Sequence, residues 1–414
     1  MKIAVIGSGV SGLSAAYYLS KKHQVDLFEK DNHFGGHAYT LPIQYENNKE
    51  VLVDIGFMVF NKKTYPNLIQ FFSDNQIEIE QSDMSFSVSV KGSNIEYCGQ
   101  GLGGIFSNRT NLLNPKFIRM FFEIINFYSK CNNLNPDQFN HYTLGDYLKK
   151  INISEYFINF HIIPMVSAIW SMPPYESAQM PLRFFISFFK NHGLFQLFNR
   201  PQWYTVSNRS KTYVDTIIKQ INGNCFSNLA VNKIKRENGK IEVICGIDNQ
   251  SKIYDKVVMA THADITLQLL EEPSPDELRI LKHFNYRDNV AVIHSDETMM
   301  PANKKAWCSW NSLMNINNKK FTSVTYWLNK LQNLTIEKNI FLTINPLEEI
   351  SENKIFKKVN FTHPYYDLNT LEHQNLLTDI QNKENILFCG SYFGYGFHED
   401  GIKSSIDMLK SLND

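Results

Sequence analysis

The chain has 414 residues, 43% of them hydrophobic and 20% charged. That is enough apolar material for a large buried core, and it excludes disordered or low-complexity character. Lysine plus arginine number 41 and aspartate plus glutamate 41, for a formal net charge of zero, so no global positive field draws the chain to nucleic acid.

At roughly 150 residues per domain, the length points to between two and three domains. The run Ile3 to Ile6 is short and fully apolar, the pattern of a buried parallel strand. It leads directly into Gly7-Ser8-Gly9-Val10-Ser11-Gly12. Leu13 to Leu19 then reads as a helix, and Val25 to Phe28 as a second strand ending at Glu29. Strand, glycine turn, helix, strand and acid in that order form a dinucleotide-binding fingerprint. Gly7 permits the tight turn, Gly9 lets the backbone approach a pyrophosphate, and Gly12 lets the helix pack close to the strand. The helix N-terminus faces the phosphates with free N–H groups. Glu29, 17 positions after Gly12, is placed to accept from ribose hydroxyls.

The fingerprint alone does not separate NAD from FAD. After Glu29 and Lys30 come Gly35-Gly36-His37, Thr40, and then Asp54-Ile55-Gly56 followed by Phe57-Met58. With these the chain resembles the flavin-containing amine oxidase and phytoene desaturase superfamily, whose pattern is an acid, a short gap, G-G-R, T and D-x-G. The resemblance implies FAD, with the second glycine pair at the flavin pyrophosphate and the Gly56 turn beside the isoalloxazine. His37 stands where the family usually has arginine, so an arginine clamp is absent. A histidine donates to phosphate but is only partly charged near neutral pH.

The far end carries the matching elements. Asn385 to Cys389 reads as a strand, Gly390-Ser391 as a glycine turn near the ribityl chain, and Ile402 to Leu412 as a helix. The resemblance puts Asp400, Gly401 and Ile402 at the helix start beside the flavin N1 and O2 edge. There a positive dipole end stabilises the reduced ring. Ser391 replaces the acid the family commonly uses for the ribityl hydroxyl. A β pair is expected before Asp255, with Val231 contacting the adenine through its backbone and Ala260 closing the strand Lys256 to Met259. No cysteine lies in the family's covalent-flavin pattern, so the implied cofactor is non-covalent FAD.

These pieces imply an α/β fold: a discontinuous Rossmann-like FAD-binding domain (1–60, 202–270 and 376–414) with an α+β substrate-binding domain (61–201 and 271–375), in the amine oxidase-like two-domain arrangement. In the first insert, helices are expected over Tyr65 to Asn75, Asn114 to Lys130, Leu144 to Lys149 and Ser154 to Ile169, with a hairpin of Met84 to Val90 against Asn94 to Cys98. Residues 182–198 hold a dense aromatic cluster, including Phe184, Phe185, Phe188, Phe189, Phe195, Leu197 and Phe198. Rings spread around most of a helix favour burial. An acyl-chain tunnel or a membrane-contacting surface stays open.

Further segments resemble a bacterial subgroup of amine-oxidase-like predicted NAD/FAD-binding proteins associated with cyclopropane-fatty-acid-synthase-type methyltransferases. They include Gly56 to Asn61, Ala168-Ile169-Trp170-Ser171, Arg200-Pro201-Gln202-Trp203, Trp307 to Asn311 and Thr325-Tyr326-Trp327. That subgroup implies unsaturated or methyl-branched acyl chains as substrates. Its usual glycine-glycine-serine-arginine is here Asn208-Arg209-Ser210-Lys211.

The chemistry expected is hydride transfer from a substrate C–H bond to flavin N5, catalysed by an oxidoreductase that positions substrate and excludes water. His398, Tyr395 and Tyr392 are the candidate catalytic side chains, His398 as acid–base or as a structural residue. Glu399 and Asp400 are read as acids or bases, or as helix caps. Trp170, Trp203 and Tyr326 are candidate substrate contacts. The leading reading is desaturation or dehydrogenation of a fatty acyl chain. Open alternatives are an amine oxidase, a redox-neutral double-bond isomerase and a non-catalytic lipid- or partner-binding module.

No metal site is expected: His161 and His363 are isolated, and His294-Ser295-Asp296 lies in no nucleophile elbow. The six cysteines show no metal or redox spacing and read as reduced thiols of a cytoplasmic protein. No run of about 18 apolar residues predicts a spanning helix. Peripheral contact with the inner face of a membrane stays open, as does the oligomeric state. The partner expected is a small-molecule or lipid substrate.

Overall fold

A computed structural model describes residues 1–46, 49–196 and 199–412. Leu197 and Phe198 of the aromatic cluster lie outside the described residues. The strand Lys2–Ile6 has Ile3, Ala4, Val5 and Ile6 buried, as the middle of a parallel sheet covered on both faces requires. It pairs in parallel with Gln24–Phe28 and with Lys256–Met259. Cys225–Phe226 and Ile386–Phe388 add the outer strands, also in parallel. The result is a five-stranded Rossmann-like sheet drawn from widely separated stretches of chain.

The first helix spans Val10–Leu19, three residues earlier than its apolar run suggested, because Gly9 is its N-cap and the glycine loop supplies its first turn. The helix is buried nearly all round, wedged against the sheet and against the last helix, His398–Leu409. Its Ser14 hydroxyl is satisfied by Val10 O and by a 2.7 Å hydrogen bond to Ser405 of the last helix. A three-stranded antiparallel meander, Val231–Glu237, Lys240–Cys245 and Gln250–Tyr254, replaces the β pair expected there.

The second layer is a seven-stranded sheet in the order Ile355–Tyr365, Asn285–His294, Phe341–Ile344, Asn318–Trp327, Trp310–Asn315, Phe86–Lys91 and Glu96–Cys98. Both inserts contribute to it. They join where Trp310–Asn315 runs parallel to Phe86–Lys91, the other pairings being antiparallel. Helices Pro66–Asp74, Pro115–Asn133, Leu144–Lys150, Ile163–Trp170 and Leu182–Asn191 lie outside the sheets.

The helix expected over Ser154 to Ile169 is broken by a π turn at Ile158–Ile162. Pro164 has no N–H to give the carbonyl four residues back, and that carbonyl, of Phe160, accepts the Tyr97 hydroxyl at 2.7 Å instead. In Leu182–Asn191 the side chains of Leu182, Phe184, Phe185, Ile186, Phe188 and Phe189 are all buried. That helix is core and not a membrane-facing surface. Among the described residues no helix is long and apolar enough to cross a membrane.

Candidate active site

The two layers enclose a cavity of about 1000 Å³, at the upper end of the range for ligand pockets. One end is the glycine-rich cradle: Gly7, Gly9, Val10 and Ser11 from the first turn, Glu29 and Lys30 from the second strand end, and Gly36 and His37 from the second glycine pair. Its wall is completed by Gly56, Phe57, Met58, Val231, Ala260, Gly390 and Ser391. The other end is aromatic and holds Trp170, Trp203, Tyr326, Phe188, Phe86 and Trp310. His398, Tyr395 and Tyr392 lie on the lining as well.

The cradle fits a dinucleotide. A Cβ on Gly9 would meet nothing within 4 Å, whereas one on Gly12 would sit 1.8 Å from the Gly7 carbonyl oxygen. Gly9 thus leaves open space at the mouth, and Gly12 is needed for helix and strand to touch. Glu29 is anchored by Ser8, whose N–H and hydroxyl donate to one carboxylate oxygen at 3.0 and 2.6 Å, and by the Asp31 N–H on the other. His37 Nε2 is buried with no hydrogen-bond partner, a donor or acceptor left for a ligand.

Burial, reinforced by His262, lowers the His37 pKa to about 4, and burial lowers those of His262 to about 4 and His363 to about 3. The three imidazoles are therefore neutral at pH 7. His262 and His363 went unremarked as site residues in the sequence. His262 follows the strand end at Ala260 and was within reach of motif reasoning, whereas His363 sits on the strand Ile355–Tyr365 with no local signal.

Gly12, Gly35, Asp400, Gly401 and Ile402, expected at the cofactor, do not line the cavity. They shape it from behind. The Gly35 N–H donates to Ser8 O at 3.0 Å, and a Cβ on Gly401 would lie 2.7 Å from both Ser11 Oγ and Val10 Cγ1. The two helix N-termini are thus pressed together beside the cradle.

The last helix begins at His398 and not at Ile402. Asp400 reaches back to accept the Phe397 N–H at 2.9 Å, a cap that pulls His398, Glu399 and Asp400 into the first turn. Burial pushes the Asp400 pKa up to about 7. Glu399 accepts from the backbone N–H groups of Asn67 and Leu68 and the Asn67 amide. It caps the helix Pro66–Asp74 and is not turned to the cavity.

His398 is stacked on Phe57, with ring centroids 3.6 Å apart and planes 12° from parallel, and its Nε2 lies 3.1 Å from the Tyr213 hydroxyl. Burial holds its pKa well below 6.5. It is therefore a fixed neutral ring, able to hold a proton on one nitrogen but not to cycle charge near pH 7. The Tyr395 ring packs on Phe184, and its carbonyl accepts the Trp170 indole N–H at 3.4 Å. Tyr392 belongs mainly to the core under Gly390, its ring 5.2 Å from that of Phe284 and its hydroxyl without a partner.

Asp54 ties the hairpin of Thr40–Tyr45 and Lys49–Asp54 to the turn before the helix Lys211–Gln220. It accepts from Thr40 Oγ1 and from Ser210 N and Oγ at 2.6–2.8 Å. Asn208 and Arg209 both adopt left-handed backbone, with φ of 59° and 79°. The glycine-type turn is kept without glycines, the Arg209 side chain being moored to Leu52 O at 2.8 Å.

Among the described residues, Glu29 and Asp31 are the carboxylates on the lining, both at the cradle end. Arg200, exposed and absent from the expected site residues, lines the aromatic end.

Residues 5–74 match the family model described as NAD(P)-binding Rossmann-like domain. No curated protein matches the chain. Among solved structures, the chain is similar to the CLA-producing fatty acid isomerase from P. acnes at 12% identity, with 99% of this chain and 98% of that one covered and a TM-score of 0.68. Putrescine oxidase bound to putrescine is 12% identical, with 100% of both chains covered and a TM-score of 0.69. Cyclohexylamine oxidase from Brevibacterium oxydans IH-35A is 13% identical, with 100% and 99% covered and a TM-score of 0.64. Residues 5–74 thus resemble a Rossmann-like nucleotide-binding domain. The full length of the chain has the two-domain fold shared by these oxidases and the isomerase.

Proposed function

We propose that the protein is an FAD-dependent oxidoreductase that dehydrogenates a fatty acyl chain. The observation that carries the reading is the polarity of the cavity between the two layers. It runs from a dinucleotide cradle into an aromatic chamber where, among the described residues, no carboxylate lies to receive an ammonium group, and where the Arg200 cation stands on the wall. A buried amine needs a charge partner or must be bound neutral, whereas an acyl chain needs apolar walls and, if free, one cation for its carboxylate.

Non-covalent FAD fits the residues present. Glu29 would hold the adenosine ribose, and Gly9 to Ser11 and Gly36 the pyrophosphate, while Gly396 to His398, just before and at the start of the last helix, would line the ring's side of the cavity. When bound, the flavin supplies the hydride acceptor. The chain's own part is to align a C–H bond with aromatic walls, to exclude water, and to present His398 as a neutral imidazole fixed by Phe57 and Tyr213.

A redox-neutral isomerase acting on a fatty acid is the second reading, favoured by the likeness in fold to the P. acnes isomerase. Purified protein reconstituted with FAD and incubated without oxygen with saturated and unsaturated fatty acids tests both. A product lighter by two hydrogens, with bleaching of the flavin's visible band, supports dehydrogenation. A product of unchanged mass with a moved double bond supports isomerisation. Bleaching by diamines but not by fatty acids refutes both.

A further inference from the structure

We propose that the ridge formed by the turn Arg109–Leu113 and the outer face of the helix Pro115–Asn133 is a docking face for an anionic lipid bilayer. Leu113 is 86% exposed, Phe122 63% and Leu112 54%, an unusual concentration of large apolar side chains in water for one short stretch of chain. Phe122 lies opposite the buried Phe117, Met120, Phe127 and Cys131, with the half-buried Ile118 and the exposed Ile125 on its flank. Phe121 packs beside Phe122, with ring centroids 5.7 Å apart, and against Phe106 at 6.3 Å. The helix thus carries its rings back to Phe106, on the segment just before the turn.

Charge chooses the occupant. Arg109, Lys116, Arg119 and Lys130 are exposed along the same segment. On the helix, Arg119 and Lys130 fall about 60–80° round from Phe122, and Lys116 lies in the first turn, close in sequence to Leu113. The segment's acid, Glu123, is held by Arg119 at 3.0 Å and by Ser154. Apolar side chains flanked by lysine and arginine match the acyl boundary and phosphates of an anionic leaflet. A second copy of the chain is the poorer fit, because an isologous contact would set this basic flank against itself.

Position supports the same occupant. A Cβ on Gly99 would lie 3.8 Å from Arg200 Nη1, and Arg200 is on the cavity lining. The chain passes from that point through the helix Gly101–Ile105 to Phe106 and then to the ridge, so the docking face follows closely in sequence on a segment that touches the aromatic end of the cavity. The proposal does not depend on the reaction performed there.

The test is co-sedimentation of the full chain with vesicles of phosphatidylcholine alone and of phosphatidylcholine mixed with phosphatidylglycerol, in low and high salt. Binding is expected to the mixed vesicles, weaker in high salt. The double variant Leu113→Glu, Phe122→Glu should lose it by about tenfold or more, with an unchanged melting temperature because both side chains are exposed. Lys116→Gln with Arg109→Gln should weaken binding and flatten its salt dependence. Ile247→Glu, at a site 98% exposed on the distant meander, should bind as the wild type does. Failure of the wild type to bind mixed vesicles, or equal binding by the Leu113/Phe122 variant, overturns the proposal. So does a dimer in gel filtration that this variant converts to monomer, since the ridge would then be a subunit interface.

Discussion

The Nε2 of His398 and the hydroxyl of Tyr213 lie 3.1 Å apart, although 185 positions separate them in the chain. With Phe57 stacked on the other side, the imidazole is fixed in both plane and rotation. Burial removes its charge across the physiological range. In a protein labelled at histidine, the His398 ring resonances are expected to stay in place between about pH 5 and 8. A resonance titrating with an ordinary midpoint would show that water reaches the ring and would restore it as a charge-cycling acid–base.

The glycine loop makes two substitutions of equal size behave oppositely. Gly12→Ala drives its methyl into the Gly7 carbonyl, at 1.8 Å. It should cost upwards of about 3 kcal/mol, seen as loss of the folded protein or a steep drop in melting temperature. Gly9→Ala meets nothing in the protein itself, so the apoprotein should melt within about 1 kcal/mol of wild type. The methyl then stands where the pyrophosphate must approach, and FAD affinity measured by fluorescence quenching should fall about tenfold or more.

Glu399 joins the last helix to the helix Pro66–Asp74 by accepting two backbone N–H groups at 3.0–3.1 Å. Glu399→Ala should destabilise by about 1–3 kcal/mol in urea unfolding, and Glu399→Gln by roughly half as much, because the amide oxygen accepts without the charge.

Asp400 titrates at about 7 in the folded protein, against 3.8 ordinarily. A carboxyl whose folded pKa is raised binds its proton more tightly when folded, so its contribution to stability falls as pH rises from about 4 to about 7. Each unit is worth about 1.4 kcal/mol. Relative to wild type, Asp400→Asn should gain stability at pH 8 compared with pH 5. Parallel pH profiles for the two apoproteins would contradict the assignment.

What the sequence revealed is what local steric need writes into it. Gly7 to Gly12, Glu29 and Gly36 announce the cradle because each satisfies a constraint within a few residues of itself. The start of the last helix was misplaced because it is set by the Asp400–Phe397 cap and the left-handed Gly396 at φ 92°, and neither stands out against a run of aromatics and glycines. Tyr213, His363 and Arg200 reach the site or its supports by tertiary packing, which leaves no periodic trace. The dense rings of residues 182–195 stand out for their number, yet density of that kind marks the interior. Among the apolar side chains left in water are the sparser ones around Leu113 and Phe122, whose exposure no local pattern announces.

The placement of Ile386–Phe388 at the edge of the sheet that begins with Lys2–Ile6 bears on how the polypeptide matures. More than 350 residues are made between Phe28 and Ile386, on the order of tens of seconds of ribosomal elongation. Through that interval the sheet lacks its edge strand, which pairs with Lys256–Met259, and the first helix lacks the partner that hydrogen-bonds Ser14. A nascent chain must therefore shelter its amino-terminal βαβ unit, by chaperones or by early nucleotide capture. A premature stop codon even thirty residues short of Asp414 would be expected to abolish the protein rather than trim it.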